Sequence, residues 1–202
     1  ERFLQPNSQQ GNDAYMRGVL ALRDAAKYFK RPRLEHVEIP YEGTSLPAIY
    51  VHAEPANRSG KVPAVVFFDG LDVTKEIQYL KGVADLVARG IACLIVDGPG
   101  NGESIRFRGL YLRHDTEHYA TPAYEYLAAR PEIDSQRIGV MAISLGGYYA
   151  PRAAAFEQRY ACCLAWGAQW DYQKIWLDRF ERLSRSVTPA LSVASKHIEW
   201  VL

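Results

Sequence analysis

The sequence predicts an open, mostly parallel α/β sheet with helices on both faces, and three observations carry that prediction. From residue 62 onward the apolar segments are continuous runs, "VPAVVFFDG", "GIACLIVDGPG", "RIGVMAIS" and "YACCLAWGAQ". Runs without alternation fit strands covered on both faces, as in a parallel sheet. Helical segments over 74–89, 116–130 and 145–158 separate these runs, giving the β-α-β rhythm of an α/β domain. The runs also end in glycine-containing turns, and ligand sites in such sheets lie beyond the carboxyl ends of the strands.

Taken in order, residues 12–30 place Tyr15, Val19, Leu22 and Ala26 at helical spacing, with Pro32 just past the end. They predict an amphipathic helix outside the sheet. "LEHVEIPYEG" and "SLPAIYVHAE" alternate around Glu42-Gly43-Thr44 and read as a hairpin. "ANRSGK" is a polar loop, and the α/β rhythm follows it. Thr121-Pro122 fits an N-cap followed by N1, so the second helix is expected to be broken or to begin late. After Trp170 the rhythm stops. "WDYQKIWLDRFERL" sets Trp170, Trp176, Leu177 and Phe180 among charges, as in a capping insertion. The expected organisation is an N-terminal helical segment over 1–33, an α/β core over 34–169 and the start of a cap over 170–202.

With 24 basic residues against 23 acidic ones, the 202-residue chain has no net field to draw nucleic acid or a membrane surface. No apolar run approaches the ~18 residues of a membrane span. There is no signal-peptide pattern, although the chain opens at Glu1 without methionine, which is consistent with a segment upstream. Three cysteines, Cys93 and the adjacent pair Cys162 and Cys163, show no CxxC or Cys/His ligand spacing. They are expected to be buried free thiols in a reducing, cytoplasmic compartment, with no metal.

Three strand ends carry the candidate chemistry. Asp69-Gly70-Leu71-Asp72 closes the first parallel strand, and glycine there lets backbone N–H groups turn toward a ligand; a plain β-to-α turn is the alternative. Glu76, at the start of the following helix, complements the helix dipole without any catalytic role. Asp97-Gly98-Pro99-Gly100-Asn101-Gly102-Glu103-Ser104 specifies a tight turn. It contains no GxxxxGK[ST], and its glycines at 98, 100 and 102 fail the GxGxxG spacing, so nucleotide binding is disfavoured. Asp97 reads as an organiser of that turn, not as an acid catalyst. The third end is Ala142-Ile143-Ser144-Leu145-Gly146-Gly147. A nucleophile elbow needs small residues two before and two after the serine, because the backbone folds so tightly there. Ala142 and Gly146 meet that need. A helix N-cap would account for Ser144 but not for the small residues on both sides of it.

In this order and spacing the three ends resemble the α/β-hydrolase fold, over about residues 34–170. "FFDGLDVTKE", "VDGPGNGES", "RIGVMAISLGGYYAPRAAA" and "AWGAQWDY" are similar to the branch that includes 2,6-dihydropseudooxynicotine hydrolase and the polyketide-shortening hydrolases of pigment pathways. Ala142 departs from the pattern, standing where G-x-S-x-G has its first glycine. The resemblance implies a serine nucleophile at Ser144 and an oxyanion hole made by the backbone N–H groups of Leu145 and Leu71. It also implies a Ser-His-Asp triad, no cofactor, cleavage of an ester or of a carbon–carbon bond beside a ketone, a small and partly apolar substrate, and a homodimer.

Half of the mechanism is not in view. The fold's chain order is Ser, acid, His, and only His197 follows Ser144. No further parallel strand with an acid at its end precedes it, so His197 reads as a helix-surface residue. His114 and His118 read as solvated or packing residues, and His36 and His52 as strand-surface positions. Two more strands, carrying the acid and the histidine, are expected beyond Leu202. The rival is a non-catalytic α/β-hydrolase-like binding or interaction protein that keeps the elbow as scaffold.

Overall fold

The computed structural model describes residues 8–54 and 60–185. Six strands form one sheet: β1 (Leu34–Tyr41), β2 (Thr44–Val51), β3 (Val62–Phe68), β4 (Ala92–Val96), β5 (Ile133–Ile143) and β6 (Cys162–Trp166). Their order is β1-β2-β4-β3-β5-β6. The β1/β2 and β2/β4 pairs are antiparallel, and the other three are parallel. The expected hairpin is present, with Glu42 and Gly43 at positive φ, 40° and 78°, as a two-residue turn between twisted strands requires.

The chain runs from β3 outward to β4, then crosses back past β3 to β5. That reversal makes the carboxyl end of β3 a topological switch point, the place where an open α/β sheet forms a crevice. Register aligns the loops there. Phe68 pairs with Val96 on one side and Ala142 on the other, which sets Asp69 level with Asp97 and Gly70 level with Ser144.

Alternate side chains along the strands feed two cores. Val66, Phe68, Val140 and Ala142 face one side with Tyr119, Leu127 and Ala150. These last three come from helices α5 (Glu117–Ala128) and α6 (Gly146–Phe156). Val65, Phe67 and Met141 face the other side with Val83 and Val87 of α3 (Val83–Ala88). The N-terminal helix α1 (Gln9–Ala26) starts earlier and ends sooner than the segment 12–30 expected to form it, stopping at the last residue of the apolar stripe. The Ser8 hydroxyl caps it by accepting the Gly11 N–H at 3.1 Å.

Several expectations need correction. The helix expected over 74–89 is two helices, α2 (Lys75–Tyr79) and α3, parted at Gly82, which sits at φ 76°. The glycine turn at 97–104 contains the start of a further helix, α4 (Gly102–Arg108), hidden in the sequence by its own glycines. α5 neither breaks nor begins late: it starts at Glu117 and carries Pro122 within it. The one intrahelical hydrogen bond that Pro122 cannot donate is tolerated in a helix whose Tyr119, Ala120, Ala123, Tyr124 and Leu127 are all buried. Finally, β6 is not covered on both faces. Cys162, Cys163, Leu164 and Trp166 are exposed, because β6 is the outermost strand among the described residues and is paired only with β5. Cys93, in the central β4, is buried as expected, and burial pushes its thiol pKa up.

Candidate active site

Ser144 lies just past β5 with φ 61°, the left-handed region that costs a side-chain-bearing residue roughly 1–2 kcal/mol. Its surroundings hold that conformation. The Ser144 N–H donates to Trp166 O at 2.9 Å, and its carbonyl accepts the Gly147 N–H at 2.8 Å. A Cβ on Gly146 would stand 2.5 Å from the Ala142 Cβ and 3.0 Å from Asp69 O, and one on Gly147 would stand 2.2 Å from Gly167 O. Each small residue of "AISLGG" therefore answers a particular close approach. Ala142, where a glycine was the pattern, leaves room only because Gly146 faces it. The structure does not use Ser144 as a side-chain cap: among the described residues no side-chain hydrogen bond caps α6, and the residue after the serine, Leu145, is already helical at φ −57° and ψ −28°. Ser144 itself is exposed at the crevice.

The β3 end abuts this turn. A Cβ on Gly70 would meet Ile143 O at 2.8 Å, the Ser144 Cβ at 2.9 Å and the Leu145 backbone nitrogen at 3.3 Å. The expected oxyanion residues are thus brought together: Leu145 follows the serine, and Leu71 follows the glycine packed against both. Tyr172, which opens helix α7 (Tyr172–Arg185), lies 6.0 Å ring to ring from Tyr148 of α6 and from Trp176. Trp170, Leu177 and Phe180 are exposed.

A buried ionic cluster sits beside the crevice, at the end of β4. The Lys75 ammonium, 1% exposed, donates to Asp97 Oδ2 at 2.8 Å and to Glu103 Oε1 at 2.6 Å, and it pairs with Glu76 Oε1 at 2.7 Å. Burial alone would lower its pKa, but the carboxylates of Asp97, Glu76 and Glu103 outweigh burial and raise it. Asp97 also accepts the backbone N–H groups of Lys75 and Glu103, at 2.9 and 3.0 Å. Its organising role is as expected, and it accounts for Gly102: a Cβ there would lie 2.0 Å from Asp97 Oδ2. Glu76, Asp97 and Glu103 bring ligand oxygens within 4.8 Å of one another. That is a cation-site spacing, and the Lys75 ammonium already fills it.

Two members of this cluster escaped the sequence reading. The Tyr15 hydroxyl reaches Glu76 Oε2 at 3.1 Å and Asp97 Oδ2 at 3.3 Å, and Arg23 pairs with Glu103 at 3.2 Å. Tyr15 belongs to the predicted apolar stripe of α1, and that spacing was the available signal. Glu76 is correspondingly more than a dipole complement. Asp69, 2% exposed between the cluster and the elbow, has no hydrogen-bond partner for either carboxylate oxygen. Burial first, then the charges of Asp97 and Glu76, raise its pKa well above the usual carboxylate range.

Among the described residues no histidine hydrogen-bonds to Ser144. His52 Nε2 lies 2.6 Å from Glu35, and His118 Nε2 lies 3.6 Å from Asp115. His36 is half-buried, not on the open strand surface; its Nε2 is unpartnered, and burial with the charges of Arg23 and Lys75 lowers its pKa to about 4. His197 lies outside the described residues.

Comparison with known proteins finds a matching family and related hydrolases. A family described as esterase FrsA-like matches residues 7–173. The chain is 44% identical over 125 residues to hydrolase LUC6 of Fusarium sp, covering 59% of this chain and 30% of that protein. It is 36% identical over 137 residues to 2,6-dihydropseudooxynicotine hydrolase of Paenarthrobacter nicotinovorans, covering 67% and 35%. It is 29% identical over 198 residues to 20-hydroxy-prefusarin hydrolase FUS2 of Gibberella moniliformis, covering 96% and 44%. A crystal structure of 2,6-dihydroxy-pseudo-oxynicotine hydrolase superposes with a TM-score of 0.78 at 29% identity, over 99% of this chain and 51% of that one. The chain therefore spans between 30% and 44% of the length of these three curated relatives.

Proposed function

The chain belongs to the FrsA-like esterase family, and from that premise we propose that it carries the nucleophile half of a serine hydrolase. Ser144 Oγ attacks a substrate carbonyl, and the N–H groups of Leu145 and Leu71 stabilise the oxyanion that forms. The N-terminus of the 11-residue α6 adds its dipole. A serine hydroxyl needs a base to take its proton. That base and its orienting acid are not among the described residues, and the resemblance puts them after Ser144 in the order acid, then histidine. The bond cleaved is an ester or a carbon–carbon bond beside a ketone. The second case further requires protonation of the carbanion that departs.

One observation supports the reading above the rest: a side-chain-bearing residue held at φ 61° at the switch point, with the Gly70 loop packed against it. A scaffold-only elbow has no need of that strain, which the glycine of a non-catalytic turn would avoid. The exposed aromatic and aliphatic side chains of 170–180 support an apolar pocket wall, and relatives named for a prefusarin and a pseudooxynicotine support a small organic substrate. The proposed setting is a cytoplasmic homodimer. Among the described residues no helix is long and apolar enough to cross a membrane.

The test is covalent labelling of the full-length protein with a fluorophosphonate. Mass spectrometry is expected to place one adduct on the peptide bearing Ser144, and Ser144→Ala is expected to lose both the adduct and p-nitrophenyl ester hydrolysis. A folded protein that takes no adduct there refutes the proposal.

A further inference from the structure

The Asn101 side chain is placed unusually for a helix cap. Asn101 occupies the N-cap of α4, where asparagine ordinarily accepts a backbone N–H; yet no side-chain hydrogen bond caps that helix. Its amide is turned the other way. Nδ2 donates to Gly70 O at 2.6 Å and to Val73 O at 3.1 Å. Both neighbours are carbonyl oxygens, so only the NH2 end of the amide fits there, and its two protons match two acceptors. Asn101 is 3% exposed.

The two carbonyls bracket Leu71. A trans peptide is planar, with its C=O and N–H pointing in opposite directions, so the group that holds Gly70 O also sets the direction of the Leu71 N–H. Accepting a short hydrogen bond at the carbonyl further polarises the same peptide and strengthens its N–H as a donor. We propose that Asn101 is a positioning residue for the reaction: by holding Gly70 O and Val73 O it aims and polarises the Leu71 N–H toward the oxyanion. The inference rests on the serine-hydrolase reading given above.

The platform behind Asn101 is rigid, as such a role requires. Its own N–H donates to Gly98 O at 3.0 Å, and its carbonyl accepts the Ile105 N–H at 3.1 Å. The Ser104 hydroxyl donates to Asp97 O at 2.6 Å, and the Glu103 N–H to Asp97 Oδ2 at 3.0 Å. The turn "DGPGNGES" thus transmits the order of the ionic cluster, through one amide, to the loop beside Ser144. Gly70, where any Cβ would strike Ile143 O, keeps that loop close enough for the alignment to matter.

The experiment compares full-length wild type, Asn101→Ser and Asn101→Ala on a p-nitrophenyl ester, with melting temperature and the rate of fluorophosphonate labelling measured on each. Loss of an oxyanion donor costs about 10²- to 10³-fold, and a misplacement of about 1 Å costs about 10²-fold. We expect kcat to fall by up to about 10²-fold in Asn101→Ala, which misaims the donor without removing it, with an intermediate value in Asn101→Ser, which keeps one hydroxyl donor. KM should stay nearly constant throughout. Folded variants with wild-type kcat, alongside normal labelling of Ser144, overturn the role of Asn101 and leave the nucleophile standing. A loss confined to KM, or loss of the folded state in both variants, overturns it equally, by assigning Asn101 to binding or to stability. Absence of labelling in wild type instead refutes the serine reading itself.

Discussion

Two glycine-rich turns stand side by side at the carboxyl edge of this sheet, and they solve opposite problems. At the end of β5, backbone strain is held by close packing of small residues, and the one functional side chain, Ser144, is left exposed. At the end of β4, the backbone is shaped so that charged side chains are enclosed and satisfy one another: Asp97, Glu103 and Glu76 around Lys75, with Tyr15 and Arg23 closing the cluster from α1. The first turn presents a reactive group. The second supplies rigidity to its neighbour. Asp69 lies between them as a buried carboxyl with no hydrogen-bond partner, belonging to neither arrangement.

The largest expected effect falls on the enclosed side. Lys75→Met leaves three carboxylates around an apolar tip, and removing one partner of a buried ionic group costs about 3–5 kcal/mol. Urea unfolding should show that loss; a change within about 0.5 kcal/mol, as for an ordinary surface substitution, would mean the cluster is not the rigid half of the pair. On the strained side the sign reverses. Ser144→Gly removes the side chain that makes φ 61° costly and should stabilise the fold by about 1 kcal/mol while abolishing hydrolysis. A lower melting temperature in that variant would show that the elbow stores no strain.

Asp69→Asn gives the smallest effect and probes the boundary. Because the folded-state pKa of Asp69 lies above its unfolded value, the native state holds the proton more tightly. Its contribution to stability is complete below the ordinary aspartate pKa, about 3.9. That contribution is lost as pH rises through the folded-state pKa. Asparagine mimics the protonated form and cannot titrate. The variant should therefore match wild type near pH 4 and become progressively the more stable of the two toward neutral pH, in thermal melts taken across that range. A gap that does not change with pH would place a hydrogen-bond donor or a cation beside Asp69.

What could be read along the chain was what repeats or crowds locally. The parallel strands announced themselves as apolar runs, and the elbow as a serine between small residues, because both signals sit within ten residues of one another. α4 did not, since Gly100 and Gly102, needed to clear Leu112 and the Asp97 carboxylate, look like loop punctuation. The exposure of β6 follows from its place as the outermost strand among the described residues, paired only with β5.

The sequence by itself determined the sheet class, the serine and the two glycine-rich turns, because strand patterning and steric crowding act between residues a few positions apart. Only the tertiary structure decided that Lys75 meets Asp97 and Glu103 across 22 and 28 residues, that Tyr15 reaches Asp97 across 82, and that Asn101 reaches Gly70 across 31. Charge neutralisation and hydrogen bonding in a buried site depend on which loops the strand order brings to one edge. The order β4-β3-β5 is what sets Gly70 between Asn101 and Ser144.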